Sequence, residues 1–184
     1  MRLARAVMRL FDYPVDDILA ALPPAESELW VGAQFRQKIF RPHSVTRSIV
    51  FHWLDQAWVP GSPFIVLRSH YAPRELDAAV SACAAALEQR LDGKVAKLML
   101  AELAAGAAVP AHKDVSPRLT SVHRCHVPVV TNSDVYFYVD DENYFLEPGV
   151  AYEFDNTRKH AVENRSGTSR VHLICDIMPA SLIL

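Results

Sequence analysis

The chain has 184 residues, of which 51% are hydrophobic and 22% are charged, and its 19 Lys and Arg against 21 Asp and Glu give a formal net charge of −2. This length fits one domain with a single core, and the apolar content excludes a disordered chain. The lack of surplus positive charge argues against nucleic acid as a partner, and no apolar run reaches the roughly 18 residues that a membrane span needs.

The first 14 residues, MRLARAVMRLFDYP, carry arginines that interrupt every apolar stretch. We therefore predict an amphipathic helix here rather than a signal peptide. The three cysteines, Cys83, Cys125 and Cys175, are an odd number and form no CxxC pair. This favours a reducing compartment, and we expect a cytoplasmic location.

The first half of the chain predicts two helices and a strand. Residues 14–22 fit a short helix that ends at Pro23-Pro24, because proline cannot continue a helix. Residues 46–53, rich in β-branched and aromatic side chains, fit a strand. Residues 73–91 fit a longer helix, since their apolar side chains fall on one stripe: Leu76, Val80, Cys83, Leu87 and Leu91. Asp92-Gly93 should end that helix, with glycine accepting the left-handed conformation.

From Lys94 onward, short apolar segments alternate with turn residues. They predict eight strands at about 96–104, 107–113, 121–130, 134–139, 143–146, 149–154, 159–164 and 169–177. This spacing favours a β-sandwich or a jelly roll, with the earlier helices covering one outer face. We expect a single domain (1–184), with a helical and strand support region at 1–93 and the jelly-roll core at 94–178.

Two histidines and an aspartate are candidate metal ligands. His112 and Asp114 are two residues apart at the end of a predicted strand, so both side chains point to one face. Alone the pair is weak evidence, and a surface turn capped by Asp114 is the simpler interpretation. His160, after a later turn, adds a second imidazole. Two histidines and a carboxylate leave three octahedral positions open and suit non-haem Fe(II) oxygen chemistry, although zinc with a bound water is also possible.

Arg170 lies ten residues after His160, on the next strand of a predicted hairpin, so it could face the same cavity. A guanidinium there would clamp a carboxylate with two parallel hydrogen bonds. The alternative is an ordinary cross-strand salt bridge, for instance to Glu163.

Arg124 and His126 share one face of another predicted strand. Two such groups are costly to bury unless an anion is present, and an outward-facing polar stripe is the alternative. Asp176 either holds a metal-binding histidine by its other ring nitrogen or caps the end of the last strand.

The segment from Leu103 to Met178 resembles the aspartyl/asparaginyl β-hydroxylase family of 2-oxoglutarate- and Fe(II)-dependent oxygenases. The matching motifs are Gly106 with the HxD pair, RCHVPVVTN (124–132), Pro148-Gly149, DNTRKHAVENRS (155–166) and RVHLICD (170–176).

The resemblance implies a mainly β fold, a double-stranded β-helix (a cupin-like jelly roll) with flanking N-terminal helices. His112 and His160 would bind Fe(II) together with Asp114, a position where some members have glycine. Arg170 would bind the distal carboxylate of 2-oxoglutarate, and His126 would help to hold this co-substrate near the metal. Dioxygen would be the second co-substrate.

The expected activity is hydroxylation of a small-molecule amino acid or of an amino-acid residue in a short peptide. Arg118 and Arg124 are candidates for binding a substrate carboxylate, because both flank the predicted pocket. The pocket lining is expected to include Val127, Val129, Tyr136, Phe154 and Leu173. Two alternatives remain: a non-catalytic cupin-like metal- or ligand-binding module, and a zinc- or manganese-dependent enzyme on the same barrel. The sequence indicates no oligomeric state.

Overall fold

The computed structural model describes residues 5–31, 45–69 and 71–184, and antiparallel strands dominate it. In chain order the elements are β1 (Val7–Asp12), α1 (Asp16–Ala21), a 3-10 turn (Glu28–Trp30), β2 (Thr46–Leu54), β3 (Val66–Arg68), α2 (Arg74–Leu91), β4 (Gly93–Leu103), β5 (Ala108–His112), α3 (Pro117–Thr120), β6 (His123–Val130), β7 (Val135–Val139), β8 (Glu142–Tyr144), β9 (Val150–Phe154), β10 (His160–Asn164), β11 (Arg170–Pro179) and a final 3-10 turn (Ala180–Leu182). None of the described helices is long and apolar enough to cross a membrane.

The strands of the described residues form two sheets. One has seven strands in the order β1-β9-β6-β11-β4-β2-β3, and the other has four in the order β5-β10-β7-β8. All the strand pairs are antiparallel. Helices α1 and α2 pack on the outer face of the larger sheet, and residues of both sheets line a cavity between them. The predicted mainly β, jelly-roll class with N-terminal helices is confirmed.

Strand β11 crosses the middle of the larger sheet and is buried on both faces. Its side chains alternate: Leu173 and Cys175 pack in the core beneath the helices, while Arg170 and Asp176 line the cavity between the sheets. One face of β11 packs beneath the helices and the other borders the cavity. This second face is where a central strand carries buried charged side chains.

The eight strands predicted beyond residue 94 are all present, as is the strand at β2. The predicted N-terminal helix is wrong within the described residues, since Val7–Asp12 forms β1 at the edge of the larger sheet. This segment pairs with β9, and Val7 and Phe11 pack against the two main apolar clusters. Pairing with a sheet edge overrides the local helical pattern, because each face of the strand finds a buried surface. Strand β3 is a second edge strand that the sequence did not indicate.

The end of α2 differs from expectation in one respect. Asp92, not Gly93, adopts the left-handed conformation, with φ of 47°. Gly93 begins β4, and a Cβ atom there would lie 2.3 Å from the carbonyl oxygen of Met178 and 2.6 Å from Cγ2 of Ile177. Glycine is needed at this position because β4 and β11 approach closely, which is a packing requirement rather than a conformational one.

Replacing Gly93 by alanine should therefore destabilise the fold by about 1–3 kcal/mol, because the added methyl group meets backbone that must shift. Urea denaturation of both proteins measures the difference. Gly167→Ala is the matched control: a Cβ there has no atom within 4 Å, so its change should stay within about 0.5 kcal/mol. Equal stability of the two variants would contradict the expectation.

Candidate metal centre and co-substrate cavity

Three side chains converge at one end of the four-stranded sheet. His112 ends β5, Asp114 follows two residues later, and His160 begins β10 directly opposite His112 in the antiparallel register. One nitrogen or oxygen atom from each of the three lies within 4.8 Å of the others. The structure thus brings together the three residues whose types and order the sequence singled out.

Both imidazoles are oriented by backbone carbonyls. Nδ1 of His112 lies 2.9 Å from the oxygen of Pro110, and Nδ1 of His160 lies 2.9 Å from the oxygen of Arg158. A carbonyl only accepts hydrogen bonds, so each Nδ1 carries the proton and each Nε2 keeps its lone pair for a metal. Burial lowers the pKa of His160 to about 4, so this ring is neutral near pH 7.

Asp114 is held as a carboxylate by two donors on one of its oxygens. Oδ2 accepts hydrogen bonds from Nη1 of Arg124 at 2.9 Å and from Nδ2 of Asn156 at 3.0 Å. Burial by itself would raise the pKa of Asp114, but Arg124 and Asn156 hold that pKa well below its usual value. Since both bonds go to Oδ2, Oδ1 is left to a metal. Two imidazoles and one carboxylate are a donor set that fits Fe(II) with three positions open.

The guanidinium of Arg124 donates hydrogen bonds to two carboxylates from all three of its nitrogen atoms. Beyond its bond to Asp114, its Nε donates to Asp176 and its Nη2 donates to Oδ2 of Asp176 at 3.0 Å. Nζ of Lys97 lies 2.7 Å from the same oxygen. Asp176 therefore neither caps the strand nor contacts a metal-binding histidine; it anchors two buried cations. The predicted substrate contact of Arg124 remains a prediction, but its guanidinium faces this network rather than open space.

Arg170 is buried at the start of β11 and lines the same cavity. Glu163, its suggested alternative partner, forms an ion pair with Arg165 instead. Nη2 of Arg170 lies 2.6 Å from Nδ1 of His172, a residue that the sequence analysis missed. His172 lies two positions after Arg170 on the same strand. Because residues two apart on a strand point to the same face, the sequence could have predicted that His172 lies beside Arg170.

His126 lies beside that pair, on β6. Its Nδ1 is 3.3 Å from Nδ1 of His172, and the rings of Phe137 and Phe154 contact it edge-on at centroid distances of 5.5 and 5.0 Å. Burial, followed by the charge of Arg170, holds the pKa of both histidines well below the usual value. Both rings are therefore neutral and add no positive charge to that of Arg170.

Arg118 lies on the short helix α3 and is half-buried at the cavity wall. Its guanidinium sits 5.8 Å from the ring centroid of Trp53, and Nη1 donates a long hydrogen bond of 3.5 Å to the oxygen of Leu54. Among the residues that the structure describes, it belongs to no ion pair.

The cavity itself has a volume of about 100 Å³. It is lined by all seven predicted site residues: His112, Asp114, Arg118, Arg124, His126, His160 and Arg170. Of the predicted apolar lining, only Phe154 is correct. Val127, Val129 and Leu173 pack beneath the helices, and Tyr136 stacks on Tyr138 beside Arg165, outside the cavity. The error is one of strand parity, because these residues alternate with the cavity-facing ones.

An antiparallel jelly roll that carries two histidines, one carboxylate and a buried arginine in one cavity belongs to the cupin-like class of barrels that includes non-haem iron oxygenases. The sequence profile of the aspartyl/asparaginyl beta-hydroxylase family matches residues 62–179, well over half of the chain. The chain is a member of that family. No curated protein sequence matches it significantly.

Two of the solved structures that share the fold illustrate the likeness. A prolyl-4-hydroxylase from Pseudomonas putida aligns over 96% of this chain and 94% of its own, with a TM-score of 0.52 at 13% identity. An oxidoreductase of the 2OG-Fe(II) oxygenase family from Burkholderia pseudomallei aligns over 72% of this chain and 67% of its own, with a TM-score of 0.52 at 7% identity. At these identities the likeness concerns the fold alone.

Proposed function

We propose that the protein is an Fe(II)- and 2-oxoglutarate-dependent dioxygenase that hydroxylates an amino acid or an amino-acid residue in a peptide. The observation that carries the proposal is the meeting of His112, Asp114 and His160 in one cavity with the buried guanidinium of Arg170. A metal site alone would fit a hydrolase equally well. A second, buried cation beside it suits a co-substrate with a carboxylate at each end.

In this assignment Nε2 of His112, Nε2 of His160 and Oδ1 of Asp114 hold the metal. Arg170 binds the distal carboxylate of 2-oxoglutarate, with His172 fixing the guanidinium from behind. His126, which lies beside His172, would help to hold the co-substrate near the metal. When bound, Fe(II) and 2-oxoglutarate together with dioxygen supply the oxidising power for C–H hydroxylation, which no side chain of the protein could supply.

The protein contributes orientation and exclusion of water. Phe137 and Phe154 form an apolar wall next to His126, and burial of the cavity strengthens the attraction between Arg170 and a carboxylate. Each water-sized group takes about 10–15 Å³ of such a cavity. The 100 Å³ volume therefore takes about 7–10 such groups, which suits a small dicarboxylate.

The same proposal includes the kind of substrate, the cellular location of the protein and the roles of the two regions of the chain. The proposed partner is a small amino acid or a short peptide, and a cytoplasmic location agrees with the three buried free cysteines. We propose that residues 94–178 carry the catalytic core. Residues 1–93 support it with the helices and add Trp53 and Leu54 to the cavity wall.

An anaerobic titration of the protein with Fe(II) and then 2-oxoglutarate tests the proposal. The wild type should develop the visible charge-transfer band of the iron chelate. Arg170→Ala should weaken 2-oxoglutarate binding about 10- to 100-fold, because a charge-assisted hydrogen-bonding group is lost from a buried site. Arg170→Lys, which keeps the charge but not the planar fork, should fall between the two.

Arg165→Ala is the matched control, since this arginine is exposed and lies outside the cavity; it should titrate like the wild type. Iron binding with no band would contradict the co-substrate assignment and favour the binding-module or zinc alternatives. Metal-dependent activity that survives in Arg170→Ala would favour a zinc or manganese enzyme.

A further inference from the structure

The cavity is too small to hold the co-substrate and a whole amino-acid substrate together. Its volume of about 100 Å³ takes about 7–10 water-sized groups. 2-Oxoglutarate alone has about ten non-hydrogen atoms, so in the proposed function it occupies most of this space. The body of the primary substrate therefore lies outside the cavity, and only the group that is hydroxylated reaches toward the metal.

An open groove with a volume of about 500 Å³ adjoins the cavity at Trp53, whose side chain lines both. It runs along β2 and the edge strand β3 of the larger sheet, and we call it the edge groove. Its apolar walls include Val50 and Leu67, and its charged residues, Asp55 and Arg68, are one of each sign. The edge groove is therefore space into which a substrate can extend from the metal site.

The outer edge of β3 presents backbone groups beside this groove. The N–H of Ser69 donates to the carbonyl oxygen of Phe51 at 2.8 Å, so the backbone of residue 69 faces β2. Alternate residues of an antiparallel strand face opposite sides, and the N–H and C=O groups of Val66 and Arg68 therefore point away from β2. None of the described strands pairs with that side of β3. The edge can accept a further strand.

Exposed apolar side chains are concentrated on the same hairpin. Leu67 is 63% exposed, Ile65 is 53% exposed and Val59 is 49% exposed. Leu67 lies opposite Trp53 in the strand register, and both line the edge groove. Apolar side chains grouped beside a cleft are typical of a binding surface, because water alone gives them no favourable contact.

These features favour an extended peptide as the occupant. A peptide can exchange hydrogen bonds with the outward backbone groups of Val66 and Arg68, and its side chains then point alternately into the groove and away from it. A free amino acid has no peptide backbone to pair with a strand. Its two charged termini would meet exposed side chains in the groove, and exposed ion pairs contribute little to affinity.

We propose that the edge groove and the outer edge of β3 bind an extended peptide, and that the enzyme acts on a residue of that peptide. An apolar residue that flanks the hydroxylated one packs on Leu67 and Trp53. This inference rests on the proposed function, and it chooses the peptide from the two substrate classes that the proposed function leaves open.

The test uses the wild-type protein loaded anaerobically with Fe(II) and 2-oxoglutarate. The probes are capped pentapeptides with a central Asp, Asn or Pro and leucine elsewhere, the same peptides with alanine elsewhere, and the three central residues capped singly. Calorimetric titration and the change in the chelate absorption band measure binding, and succinate release in air measures turnover. At least one leucine peptide should bind about 10- to 100-fold more tightly than its capped single residue, with the alanine peptide between them.

Leu67→Ser tests the apolar contact. It should lower the affinity for the leucine peptide about 10-fold and leave the affinity for 2-oxoglutarate unchanged. Leu184→Ser is the matched control, because Leu184 is 81% exposed and lies outside the edge groove.

Arg68→Pro tests the backbone contact, since it removes an N–H that faces away from β2 and therefore leaves the pairing of β2 with β3 intact. This variant should also bind the leucine peptide about 10-fold more weakly. Arg68→Ala is its control, because it removes the exposed charge but keeps the N–H, and its affinity should change less than about 3-fold. Thermal unfolding of each variant verifies that it is folded.

Two kinds of failure are distinguishable. Absence of the chelate band in the wild type would overturn the proposed function and this inference with it. A normal band with no peptide bound more tightly than its capped residue, or with a preference that survives in Leu67→Ser or in Arg68→Pro, would overturn the role of the edge groove alone. A dimer that sedimentation detects in the wild type but not in Leu67→Ser would assign the edge of β3 to a second copy of the chain, and would also overturn it.

Discussion

Replacing His112 by alanine should abolish tight Fe(II) binding and lower 2-oxoglutarate turnover by more than about 100-fold. Loss of an outer partner of a metal ligand already costs about 10- to 100-fold, and loss of a ligand atom should cost more. His112 is only half-buried, so the metal-free variant should unfold at nearly the same temperature as the wild type. Equilibrium dialysis against Fe(II), followed by metal analysis, measures the effect.

His52→Ala is the control for the loss of a histidine, since His52 lies on β2 and does not line the cavity. Fe(II) should stabilise this control and the wild type against heat but leave His112→Ala unchanged, because only a bound ligand shifts the unfolding equilibrium. Undiminished iron binding by His112→Ala would remove His112 from the metal site.

The largest loss of stability should follow replacement of Arg124 by leucine. The guanidinium is the shared partner of Asp114 and Asp176, and its removal leaves two buried carboxylates without their main counter-charge. Breaking a buried pair in this way costs about 3–5 kcal/mol in the free energy of unfolding. Urea denaturation at pH 7 measures it.

Arg165→Leu is the control, because its ion pair with Glu163 is exposed and should contribute less than about 1 kcal/mol.

Burial by itself would raise the pKa of Asp176, but Arg124 and Lys97 lower it below its usual value. The stabilisation from this carboxylate is therefore complete above about pH 4 and is lost as the pH falls through the lowered value. The gap between the wild type and Arg124→Leu should narrow in acid. A gap below 1 kcal/mol at pH 7 would show that the network is not structural.

Local signals sufficed for most of the fold. The apolar stripe of residues 73–91 predicted α2, because helical spacing places those side chains on one buried face. Turn residues between apolar segments predicted the eight strands from β4 to β11. The same logic failed at β1 and β3, both edge strands, because an edge strand is specified by the neighbour it pairs with rather than by its own pattern.

The candidate site also has features that the sequence predicts and features that depend on strand pairing. The sequence by itself determined the chemical types and their order: two imidazoles and a carboxylate for a metal, and an arginine ten residues after His160. Only the tertiary structure brought His112 opposite His160, since that contact requires β5 and β10 to pair across 47 intervening residues. The sequence had also treated Arg118 and Arg124 alike. The fold separates them, because β6 and β11 place Asp176 beside Arg124 while Arg118 meets an aromatic ring. The role of a charged side chain on a strand depends on its cross-strand neighbour. Long-range strand register, rather than the local sequence, determines that neighbour.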